Sequence, residues 1–161
     1  MVKGHNLHIE NEPSVDELKS AIADPQKYKE IVFCGYGEPT IRLDVVKEVG
    51  SWVKENGGRT RLDTDGHGNV INHRDIIPEL QGIIDAVSIS LNSPDPKEYE
   101  RLMGSVNGKQ WQAMIEFARE AAGAFPEVYM TVVGLDGDEL RSAQEFVERT
   151  IGVKFRYRPL F

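Results

Sequence analysis

The chain is expected to fold as an α/β domain built on a parallel sheet, and two patterns predict this. Short β-branched, apolar runs alternate with amphipathic stretches at helical spacing, so that a βα unit recurs about four times. A helix-like segment precedes the first unit, and a bare strand follows the last. Periodicity alone leaves the sheet either open and doubly wound or a partial barrel. A closed (β/α)8 barrel typically takes ~250 residues, more than the 161 present.

The elements follow in order. Residues 14–24, SVDELKSAIAD, open on Ser14 as an N-cap with Glu17 three residues later, a capping box. Residues 30–35, EIVFCG, read as a wholly apolar strand covered on both faces. In 42–58, Val45, Val46, Val49, Trp52 and Val53 form one helical stripe that ends on two glycines. Residues 59–66, RTRLDTDG, are a second strand of thin apolar content, and 72–82 a short helix or single turn. Residues 84–93, IDAVSISLNS, alternate as a strand, and the prolines of 94–103 suit the first turn of a helix. Residues 108–123 place Trp111, Met114, Ile115 and Ala118 in helical register. A strand at 127–135, a helix at 136–151 and a last strand at 153–160 complete the chain.

Composition narrows the function. A net charge of −7 argues against nonspecific nucleic-acid binding, which needs cations to neutralise phosphates. No apolar run approaches the ~20 residues of a membrane span, and the polar N-terminus is no secretory signal. One cysteine cannot form an internal disulfide, so a reducing, cytoplasmic setting is expected. Nor can it hold an iron–sulfur cluster, which takes several thiolates.

In both candidate architectures ligands bind at the carboxyl ends of the strands. Those ends read GYGEPT, DTDGHGN, SLNS, GLDGD and RYRP, whereas the strand bodies look mostly apolar. Exposed backbone amides flanked by donors and acceptors suit a polar small molecule. Each piece also has a plainer explanation, since glycines and aspartates after strands are ordinary turn chemistry. His5, His8, His67 and His73 lack a paired metal spacing and read as surface or loop residues. Asp63 and Asp65 could face a cation together but lack a third ligand. Cys34, on an apolar run, is expected as a buried small hydrophobe.

Taken together, the strand-end motifs resemble those of the radical SAM (S-adenosylmethionine) superfamily, most closely its TatD-linked group, over nearly the whole chain. CGYGEPT resembles the superfamily's GGE motif, with Gly35, Gly37 and Glu38 at the matching positions and Tyr36 inserted before the second glycine. RLDTDGHGN resembles the motif after the next strand, and VSISLNSPDPKEYERL the strand and helix that follow. The resemblance implies a partial (β/α)6 TIM-like barrel of parallel strands, with the first strand missing and five expected. It further implies S-adenosylmethionine as the small-molecule cofactor, met by Gly35, Tyr36, Gly37, Glu38, Pro39, Asp63, Thr64, Asp65, Ser90, Asn92 and Arg156. Arg156 and Arg158 could instead meet an anionic substrate group or a surface carboxylate. Family chemistry is reductive cleavage of S-adenosylmethionine at a [4Fe-4S] cluster to a 5′-deoxyadenosyl radical. The CxxxCxxC segment that binds this cluster is absent, so the chain is expected to be a truncated and, as it stands, inactive radical SAM protein. Two other readings are a cluster-free domain that binds S-adenosylmethionine or a nucleotide, and a non-catalytic module that self-associates through an exposed sheet edge.

Overall fold

A computed structural model describes residues 11–35, 37–104 and 108–159. Its sheet contains five strands in the order β1-β2-β3-β4-β5: Ile31–Phe33, Thr60–Thr64, Ala86–Ser90, Glu127–Val133 and Lys154–Arg158. Every pairing is parallel, in registers such as Phe33 to Leu62, Leu62 to Val87, Ile89 to Met130 and Met130 to Phe155. The helices are α1 (Val15–Ile22), α2 (Leu43–Glu55), α3 (Gly68–Ile71), α4 (Ile77–Leu80), α5 (Pro96–Met103), α6 (Lys109–Ala124) and α7 (Gly137–Glu145).

One face of the sheet carries the core. Leu62, Val87, Ile89, Val128, Met130 and Val132 are buried against Val46 of α2, Leu80 of α4, Met114, Phe117 and Ala118 of α6, and Ala143 of α7. Each strand pairs with its neighbour in sequence, and each right-handed crossover therefore returns its helix to the same side. A doubly wound sheet would reverse the strand order and cover both faces. The sheet is thus a segment of a TIM-like barrel, as the motifs imply.

The opposite, inner face is polar. Register sets Asp63, Ser88, Tyr129 and Lys154 in one row, and Ser90, Thr131 and Arg156 in the next. This corrects the expectation of mostly apolar strand bodies. Period-two alternation in RLD, VYMTV and KFRYR separates a core face from a hydrophilic one. β3 is the exception to alternation, buried through Ile89, because it lies at the centre of the sheet.

Other boundaries shift for local reasons. The capping box of α1 forms as expected: the Glu17 amide donates to Ser14 Oγ and the Ser14 amide to Glu17 Oε2. α1 nevertheless buries no residue, lying beside α2 with Lys19 3.1 Å from Glu48. β1 is three half-buried residues at the sheet edge and is not covered on both faces. Cys34 falls just past it and is exposed, which overturns its expected burial. Residues 136–151 form α7 followed by a π-helical turn over Phe146–Ile151, which closes at Gly152 in the left-handed conformation.

Candidate functional site

The strand-end loops meet at Glu38. Its side chain is 9% exposed and accepts four hydrogen bonds. Oε1 accepts from the Thr40 amide (3.0 Å) and hydroxyl (2.6 Å), which caps the 3₁₀ turn that opens with Pro39. Oε2 accepts from the Thr64 hydroxyl (2.9 Å) and the Asp65 amide (2.8 Å). One carboxylate thereby fastens the loop after β1 to the end of β2. Burial, partly offset by the Thr40 and Asp65 hydrogen bonds, lifts the Glu38 pKa above the ordinary carboxylate value.

Asp65 continues the network. Its Oδ1 accepts from the His67 amide (2.9 Å) and lies 3.0 Å from His67 Nδ1. Burial alone would raise the Asp65 pKa, but hydrogen bonds with the His67 ring and Glu38 outweigh it, and the pKa falls. His67 Nε2 lies 3.0 Å from the Gln110 carbonyl in the first turn of α6. With an acceptor at each nitrogen, the ring satisfies both only as imidazolium. The Asp65 hydrogen bond, opposed by burial, raises its pKa accordingly. His67 therefore balances the paired carboxylates of Glu38 and Asp65. This role was not visible in the sequence, where only its place between two glycines was.

Two kinds of glycine line these loops. A Cβ at Gly66, whose φ is +83°, would stand 2.9 Å from Met114 Cγ and 3.2 Å from Met114 Cα, so packing against α6 requires the glycine. A Cβ at Gly37 would meet nothing within 4 Å, and one at Gly35 only ordinary contacts at 3.5 and 3.7 Å. Among the described residues, then, nothing demands glycine at 35 or 37. This leaves room for a ligand to approach the bare backbone.

The other expected residues scatter. Asp63 sits on the inner face with Oδ1 2.9 Å from Arg61 Nε, and Arg61 also meets Glu30 at 2.8 Å. The Arg61–Asp63 contact is electrostatic, since neither atom makes an aligned hydrogen bond. Asp63 and Asp65 thus turn to different partners and share no cation. Thr64 bonds Glu38, while Ser90 and Arg156 lie on the inner face one row nearer the strand ends than Asp63. Asn92 has a φ of 59°, donates to Met103 Sδ at 3.4 Å, and borders a cavity of about 480 Å³ with Ser93, Asp95, Leu135 and Ser142. Tyr36 lies outside the described residues. Nearby Tyr99 is fully buried, its hydroxyl without a partner among the described residues, and burial together with the charge of Asp65 pushes its pKa up to about 12.

A five-stranded parallel segment with a polar inner face and a carboxylate-pinned loop at its strand ends defines an α/β fold of the partial TIM-barrel class. The chain belongs to the radical SAM superfamily, whose family model matches residues 4–150. S-adenosylmethionine and a [4Fe-4S] cluster are the cofactors of that superfamily generally. The structure is similar to a domain of pyruvate-formate lyase-activating enzyme from Bacteroides vulgatus ATCC 8482 (17% identity, TM-score 0.60, covering 78% of this chain and 75% of that one). It is also similar to TYW1 with a lysine-pyruvate adduct bound (18% identity, TM-score 0.63, covering 91% and 45%) and to archaeal TYW1 (15% identity, TM-score 0.58, covering 84% and 50%). The chain thus spans about half the length of the two TYW1 structures. No curated protein matches it significantly. Among the described residues no helix is long and apolar enough to cross a membrane.

The two cofactors fit these residues differently. The open backbone at Gly35 and Gly37, beside a carboxylate pair, suits the ammonium end of S-adenosylmethionine. The cluster does not fit. The sequence holds one cysteine, and among the described residues no group of three or more His, Cys, Asp or Glu could hold a metal.

Proposed function

We propose that these residues form the S-adenosylmethionine-binding portion of a radical SAM enzyme of the TatD-linked kind. The thiolates for its cluster would be supplied by polypeptide outside the 161 residues. The observation that carries this reading is the open space at Gly35 and at Gly37, among the described residues, beside the buried carboxylate of Glu38. The loop carbonyls would accept from the ligand's ammonium, with the negative charge of Glu38 and Asp65 behind them. Ser90 and Asn92 would face its ribose or carboxylate. When bound, S-adenosylmethionine supplies the sulfonium carbon–sulfur bond that the superfamily cleaves reductively. Without cluster ligands the chain alone is expected to be inactive.

Titration calorimetry tests this. The chain should bind S-adenosylmethionine, and Gly37→Ala should weaken binding at least tenfold while the melting temperature stays unchanged. Equal binding by the wild type and Gly37→Ala would remove the loop from the site. Binding by this chain that is no tighter in a polypeptide extended to include a cysteine triplet would favour a cluster-free binding domain.

A second reading rests on β1. Among the described residues no strand pairs with its outer edge, and an apolar groove of about 540 Å³ runs beside it, lined by Leu18, Ile22, Phe33, Ile41 and Val45. Such an edge invites pairing with another strand, including that of a second copy. Size-exclusion with light scattering would show a dimer; a strict monomer at all concentrations would end this reading.

A further inference from the structure

The inner face has a second polar centre at β5, four strands from the Glu38 loop. Lys154, Arg156 and Arg158 alternate along the strand and so project from one face, a local run of positive charge in a chain of net charge −7. Tyr129, on the neighbouring strand, lies beneath two of them. The Arg156 guanidinium carbon is 4.1 Å from its ring centroid and Lys154 Nζ is 5.3 Å away. The ring's quadrupole attracts both cations.

The carboxylates of this face already have cations. Glu30 and Asp63 share Arg61 at 2.8 and 2.9 Å. Glu127 accepts from the Tyr129 hydroxyl and meets Arg59 at 3.0 Å. The Tyr129 hydrogen bond first, opposed by burial, and then Arg59 and Lys154, hold the Glu127 carboxyl below its ordinary pKa. Arg156 is different. It is half-buried yet has no carboxylate within ion-pair distance among the described residues, a state that proteins normally avoid for a partly desolvated charge. Its guanidinium carbon sits over the Tyr129 ring, in the row that also contains Ser90 and Thr131. At strand spacings of about 4.8 Å, Ser90 stands roughly 10 Å away across the sheet. That span suits a molecule of modest size lying over Thr131.

We infer that Arg156, seated on Tyr129, is an anion subsite that receives the carboxylate or phosphate of a second ligand, the substrate. Contact with the ring holds the guanidinium in place, and its planar fork can present two N–H groups of one edge to two oxygens of the same anion. Lys154 adds a second charge beside it. The assignment of the anion to the substrate rests on the reading that S-adenosylmethionine occupies the Gly35–Glu38 end. The subsite itself can be tested without that cofactor.

The experiment is an NMR titration of the chain with inorganic phosphate, and separately with acetate, at constant ionic strength. The resonances followed are Arg156 Nε–Hε and the Tyr129 ring. The expected result is saturable shifts at both residues for at least one anion, with Kd of the order of 1 mM. Arg156→Gln should abolish them, and Arg156→Lys, which keeps the charge but loses the fork, should weaken binding several-fold. Should Arg156→Gln not fold, the comparison with Arg156→Lys decides, and equal affinity there counts against the subsite. No saturable shift, or equal shifts in Arg156→Gln, would mean ions gathering diffusely along β5 and would overturn it. Adding S-adenosylmethionine to the phosphate-loaded chain separates the two sources of anion. Displacement of phosphate would assign the subsite to the cofactor's own carboxylate and overturn the substrate assignment. Retention of phosphate while S-adenosylmethionine binds supports it. Failure of S-adenosylmethionine to bind would overturn the substrate assignment together with the reading it rests on, and leave the anion subsite standing.

Discussion

Glu38 Oε2 accepts from the Asp65 amide at 2.8 Å, joining residues 27 positions apart in sequence at the mouth of the barrel segment. The glutamate of the GYGEPT stretch is therefore a positioning residue whatever else it meets. All four of its hydrogen bonds come from its own chain, and a cationic ligand would feel its charge behind the loop.

Removing that carboxylate should cost stability directly. Glu38→Ala leaves the buried Thr64 hydroxyl and the Asp65 and Thr40 amides without their acceptor, a loss of about 3 kcal/mol. For a domain of this size the melting temperature should fall by roughly 10 °C. Glu38→Gln keeps the acceptor on one side only and should lose about half as much. Thermal melts of both variants measure this, and unchanged melting would show that the network does not hold the loops.

His67 should make stability depend on pH in one direction. Its folded pKa lies above the ordinary 6.5, owing first to the Asp65 hydrogen bond. Its contribution is therefore fully present below that ordinary value and is lost as pH rises through the folded value. Urea unfolding of wild type and His67→Gln should show a gap at about pH 5.5 that narrows by about pH 8.5. A gap of equal size at both pH values would refute the imidazolium clamp.

Tyr99 offers a stabilising substitution. Its buried hydroxyl has no partner among the described residues, and Tyr99→Phe removes that unmet group without opening a cavity. The expected gain is about 1 kcal/mol. A lower melting temperature for Tyr99→Phe would mean that the hydroxyl is bonded to an ordered water or a ligand.

Gly66 and Gly37 should separate packing from binding. Gly66→Ala forces a side chain into a left-handed conformation and against Met114, costing roughly 2 kcal/mol or more. Gly37→Ala should leave unfolding within about 0.5 kcal/mol of wild type, as surface substitutions do. Denaturation curves of the pair check this, and a destabilised Gly37→Ala would mean that the loop backbone is constrained from within.

Much of this fold was legible because its signals are local. The capping box at Ser14, the stripe of α2 and the strand-end motifs each occupy a few consecutive residues. What could not be read depends on neighbours distant in sequence. Cys34 follows an apolar run, but β1 ends one residue before it at an edge, so the thiol is exposed. His67 looks like a loop residue until α6 brings the Gln110 carbonyl to its ring. Tyr129 beneath Arg156 emerges only from the β4–β5 register, since nothing in EVYMTVV marks one tyrosine as a seat for a cation. The alternation that separates the polar face was present in the strands, and the apolar residues between masked it.

The nearest-neighbour order of the strands also shapes how the domain comes apart. Among the described residues each strand bonds only to the strands before and after it in sequence, so ordering can spread outward from β3 one βα unit at a time without threading. Amide exchange should then be slowest in β3 and faster toward β1 and β5, which have a partner on one side only among the described residues. Opening at β1 would loosen the Glu38 loop and opening at β5 would loosen Arg156. The two ends of the inner face can therefore fluctuate independently while the centre stays intact.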